Sequence, residues 1–148
     1  MPKNNLSARI TLWVNRIIIV LLLALLPSMP WLLNWYNSTR ILTPAKYYAI
    51  LIGFYCCAIV VAPALWKMDK LLRNILREKV FVRENVRLIR FIRGCCAAVS
   101  LICLPAGCIY YPLIFMVVIM AFLCLAVSVL VQVMDAAVSL REENDLTI

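Results

Sequence analysis

The chain has 148 residues, 66% of them hydrophobic, and 15 Lys and Arg against 7 Asp and Glu leave a net charge of +8. Soluble domains are about half apolar, so this composition excludes an ordinary water-soluble fold and predicts one all-α membrane domain. The basic residues gather in a single segment between apolar runs, which makes anionic lipid headgroups the nearest partner and excludes direct nucleic-acid binding as a first reading.

A hydrocarbon core of roughly 30 Å needs about 20 apolar residues of helix. Residues 12–33 meet that as a first span, rich in Leu and Ile and followed by no cleavage pattern of a signal peptide. Residues 47–66 form the second span, 94–111 the third and 113–134 the fourth. A tight corner at Tyr110, Tyr111 and Pro112 joins the last two. The whole is expected to be a four-transmembrane-helix bundle.

Orientation follows from Lys and Arg in the loops. Lys3, Arg9 and Arg16 precede or open span one, the 34–46 loop holds only Arg40 and Lys46, and Arg141 lies in the tail. The segment 67–93 holds nine. Both termini and this segment should therefore face the cytoplasm. Trp31, Trp35, Tyr36, Tyr47, Tyr48, Tyr110 and Tyr111 mark the outer interface, and Trp13 and Trp66 the inner one.

Helices in lipid associate where small residues let backbones approach. Ala49, Gly53 and Cys57 form such a stripe on span two, Gly94 and Ala98 on span three, and Ala121, Cys124 and Ser128 on span four. Span one has little of this, so it should be the most lipid-exposed.

The segment 67–93 divides in two. Met68, Leu71, Leu72, Ile75 and Leu76 recur at helical spacing opposite Lys67, Lys70, Arg73 and Arg77, which predicts a cytoplasmic amphipathic helix lying in the interface. The period breaks at 79–82. A second helix is expected from Arg83-Glu84-Asn85 into span three, with Arg83, Arg87 and Arg90 down one side. The tail is the only acidic stretch, carrying Asp135, Glu142, Glu143 and Asp145. Opposite charges on one membrane face attract, so the tail is expected to pack on 67–93. The candidate partner- and tail-docking residues are Arg83, Glu84, Asn85, Arg87, Arg90, Glu142, Glu143 and Asp145.

Catalysis finds no support. His is absent, and the seven cysteines include no C-x-x-C, so no zinc site is expected. Met116, Met120 and Cys124 form a soft-sulfur stripe suited to Cu(I), but the same spacing serves plain packing. No cofactor, metal or catalytic residue is expected, and no charge lies between Ile17 and Leu33, Tyr47 and Trp66, Gly94 and Tyr111, or Leu113 and Met134, where ion-coupled transport would need one.

Two pieces carry a resemblance. Phe81-Val-Arg-Glu84-Asn85-Val86-Arg-Leu-Ile89-Arg90, with Arg93-Gly94 after it, resembles an F-x-x-E-N-V-x-x-(L/I)-R segment. Leu140-Arg-Glu142-Glu143-Asn-Asp145-Leu146-Thr147-Ile148 resembles an L-x-E-E-N-D-L-T-I tail. Both belong to a bacterial membrane family catalogued as domain of unknown function 2975, which resembles this chain in its four spans, basic central loop and acidic tail. The family has no assigned activity. Its genes often neighbour one for a small Cro/CI-type helix-turn-helix regulator, which implies a membrane partner that holds or releases such a protein. The expected function is thus a non-enzymatic regulatory or sensory protein binding a soluble partner at its cytoplasmic face. The alternatives are a transport or efflux component, alone or as a homo-oligomer, and an immunity-type protein against membrane-active peptides.

Overall fold

The computed structural model describes residues 4–39, 42–77 and 79–146. It is all-α: α1 (Asn4–Thr39), α2 (Pro44–Leu76), α3 (Arg83–Ile109) and α4 (Pro112–Leu146). All four are long and apolar enough to cross a bilayer. Lys3, Arg40, Thr147 and Ile148, which enter the charge count and the tail motif, lie outside the described residues.

Consecutive helices run antiparallel, as short connections require. Asn15 reaches Leu65 and Tyr55 reaches Leu26 between α1 and α2. Cys57 meets Cys103 between α2 and α3, and Ser100 meets Val117 between α3 and α4. One end of the bundle therefore gathers the start of α1, the α2–α3 connection and the end of α4. It is called the basic end below. Among the described residues, close backbone approach is confined to consecutive pairs: α1 with α2, α2 with α3 and α3 with α4. The fold is an open, sequential array. Its exterior is broadly apolar, with Trp13, Ile59, Phe115 and Phe122 among many large exposed side chains. An apolar surface of this extent suits lipid, where it costs nothing, and not water.

The helices overshoot the bilayer. α1, α2 and α4 have 36, 33 and 35 residues, about 50 Å each at 1.5 Å per residue, against a hydrocarbon core of roughly 30 Å. This corrects the expected interfacial amphipathic helix. Residues 67–76 continue α2 without interruption. No Gly or Pro follows Pro63 within that helix to stop it, and its apolar stripe finds protein partners instead of a membrane surface. Leu71 packs in a core with Val86, Leu88 and Ile89 of α3 and Val131 and Val138 of α4, and Met68, Ile75, Ile92, Val127 and Met134 pack against it. Burial concentrates at this end, as expected of residues beyond the lipid, where the hydrophobic effect again drives packing. Residues 67–76, 83–93 and 135–146 thus form a small three-helix headpiece.

The break at 79–82 falls where the lost period predicts it, and α3 begins at Arg83. The α3–α4 corner also stands where Tyr110 to Pro112 place it. Of the small-residue stripes, Gly53 faces Ala106 across α2 and α3, and the Cys124 thiol points to the Arg93 carbonyl across α3 and α4. Gly94 is a correction. A Cβ there would meet nothing within 4 Å, so it is no contact point. Gly107 plays that role, since a Cβ on it would lie 3.1 Å from Ile114 Cγ1 beside the corner.

Candidate functional site at the basic end

The α2–α3 connection is organised by two asparagines. Asn85, in the first turn of α3, is fully buried at 0% exposure. Its amide nitrogen donates to the Lys79 carbonyl at 2.6 Å and the Val80 carbonyl at 2.8 Å. Its oxygen accepts from the Asn74 amide at 2.9 Å. The Asn74 carbonyl in turn accepts from the backbone N–H of Arg77 and of Lys79, closing the end of α2. An irregular loop leaves carbonyls without helical partners, and a buried amide is well suited to satisfy them. Asn85, expected among the docking residues, is a loop clasp with no surface to offer.

Glu84 stands beside it but outside. Its carboxylate accepts from Lys70 at 2.6 Å. The hydrogen bond from Lys70, followed by its charge, holds Glu84 below the usual carboxylate range. An acid in the first turn also favours the helix dipole.

Arg83 and the tail meet directly. The Arg83 Nε donates to Glu142 Oε1 at 3.0 Å and its Nη2 to Oε2 at 2.6 Å, a bidentate geometry. The hydrogen bond from Arg83 depresses the Glu142 pKa. Arg83 Nη1 and Arg90 Nη2 each lie 3.8 Å from an Asp135 oxygen. Arg141 Nη1 donates to the Phe81 carbonyl at 3.5 Å. Beneath these contacts Val138 is 2% exposed, the apolar underside of the same face. Arg87 is exposed and makes no ion pair with the described residues. Glu143 and Asp145 are exposed at the end of α4. The fold therefore gathers Arg83, Arg90, Asp135 and Glu142 on one side, places Glu84 with Lys70, and leaves Arg87 pointing outward.

A second cluster escaped the sequence reading. Asp69 is 4% exposed yet lies on α2 among basic residues. It pairs with Arg73 one turn on and accepts from Arg16 Nε of α1 at 3.5 Å. Asn15, also buried, donates to the Leu65 carbonyl at 3.2 Å beside it. The available signal was an acid on the Leu65, Leu72, Leu76 face at helical spacing, where an unpaired carboxylate would be costly and a cation is required.

Among the described residues no group of His, Cys, Asp and Glu could hold a metal ion. Lys67 lies 5.7 Å from the Phe91 ring centre, a cation–π contact between α2 and α3.

No curated protein and no solved structure matches this chain. A family model described as a protein of unknown function (DUF2975) matches residues 10–148. The match spans all four helices and the headpiece together, and the chain belongs to that family.

Proposed function

We propose that this protein is a non-enzymatic regulatory component of the bacterial inner membrane that holds a soluble partner at its basic end, on the cytoplasmic side. The excess of Lys and Arg at that end supports the orientation. One observation carries the binding reading: Arg83 engages a carboxylate of the protein's own tail through exposed, bidentate hydrogen bonds. Exposed ion pairs are weak and exchange readily. A partner with an acidic surface can replace the tail on Arg83 and add Arg87. The acidic surface is what the ion pair calls for; that the partner is a helix-turn-helix regulator rests on the family resemblance alone. Cis pairing by the tail would then tune how readily the partner binds.

Affinity capture of the full-length chain from cross-linked cells tests the reading. A soluble protein should be recovered with the unaltered chain and lost when Arg83, Arg87 and Arg90 are all changed to Glu. Recovery of none, or equal recovery with both chains at equal membrane abundance, overturns it.

A further inference from the structure

A cleft of about 520 Å³ opens between α1 and α2, within the range that holds a drug-sized ligand. Its walls are apolar: Ile19, Leu22 and Leu23 from α1, Ala62 and Leu65 from α2. Its mouth is charged, and the charge is arranged. Asp69 sits buried between Arg16 and Arg73, its oxygens taken by the two guanidiniums. Each guanidinium carries five N–H donors, and both side chains are about half exposed. The cluster is left with a net charge of +1 and with donors to spare.

We propose that this cleft binds one anionic phospholipid, its phosphate held by Arg16 and Arg73 and one acyl chain laid along the apolar walls. Arginine suits a phosphate because its planar fork offers paired donors. Asp69 is a positioning residue: it fixes both guanidiniums while its own charge stays covered. The level suits a headgroup, since exposed Trp66 lines the cleft and exposed Trp13 stands one turn before Arg16 on α1, as aromatic side chains do at a membrane interface. A second copy of the chain is the poorer occupant. Its equivalent face carries the same net positive charge, and like charges brought together repel.

Native mass spectrometry on the full-length chain in detergent, offered phosphatidylglycerol and phosphatidylcholine in equal amounts, tests this. One phosphatidylglycerol should be retained with a preference of roughly tenfold, the scale expected for basic residues beside an anionic headgroup. Changing Arg16→Gln, Asp69→Asn and Arg73→Gln together removes the charge without orphaning the carboxylate, and should abolish the preference. Arg77→Gln, which removes the same net charge from the same end outside the cleft, should keep it. Ala62→Phe, which fills the cleft and leaves the arginines in place, should lose the lipid. Excess inorganic phosphate should not displace it. Equal loss with Arg77→Gln, undiminished binding by Ala62→Phe, displacement by phosphate alone, or a dimer that forms in place of the lipid complex would overturn the proposal.

Discussion

Arg83 and Glu142, 59 positions apart, form a two-pronged ion pair that ties the end of α4 to the start of α3. Reversing one charge should loosen the tail, and reversing both should restore it. Limited proteolysis at low ionic strength checks this: Glu142→Lys should expose residues 135–146, and adding Arg83→Glu should protect them again. Equal protection in all three chains would show that apolar packing at Val138 alone holds the tail.

The same pair sets a pH response. Glu142 and Glu84 have depressed folded-state pKa values, by Arg83 and Lys70 respectively. A depressed carboxylate contributes stability that is fully present above its ordinary pKa and is lost as pH falls through the lowered one. Tail protection should therefore be flat from neutral pH down to the ordinary carboxylate range and fall only in more acid solution. Hydrogen exchange across residues 135–146 measures it, and a loss near neutral pH would contradict the assignment.

Asn85→Ala should remove the clasp from two loop carbonyls and from Asn74. Buried polar groups left unpaired cost about 1–3 kcal/mol each, so a loss of roughly 2 kcal/mol or more is expected in thermal unfolding. Protease sensitivity should rise first in the 77–82 connection. Asn85→Asp should do no better, since a carboxylate cannot donate to the Lys79 and Val80 carbonyls.

Two apolar substitutions should separate headpiece from span. Val138→Ala removes two methyl groups from a packed core and should cost about 2 kcal/mol. Val118→Ala, on an exposed face of α4, should cost far less, because lipid replaces the lost contacts. Similar losses at both positions in reversible unfolding would contradict the division into headpiece and membrane body.

The glycines make a matched pair. Gly94→Ala should stabilise α3 by roughly 0.5–1 kcal/mol, since the site is open and alanine favours helix. Gly107→Ala should lose that gain, because its methyl group would press on Ile114 at the corner. Melting temperatures of the two variants should therefore move apart.

Much of this was legible in composition. Four apolar runs must become helices because lipid offers a backbone no other partner; the lost helical period places the break at 79–82, and the Lys and Arg positions gather charge at one end. What tertiary structure alone decided lies at the basic end. The stripe of Met68, Leu71 and Ile75 looks the same whether it faces a membrane surface or another helix, since periodicity records that a face is apolar and not what covers it. Only the register between helices turns that stripe into a packed core, buries Asn85, and brings Arg16 across to Asp69. Those pairings depend on where antiparallel helices come level, a long-range property that no local pattern encodes.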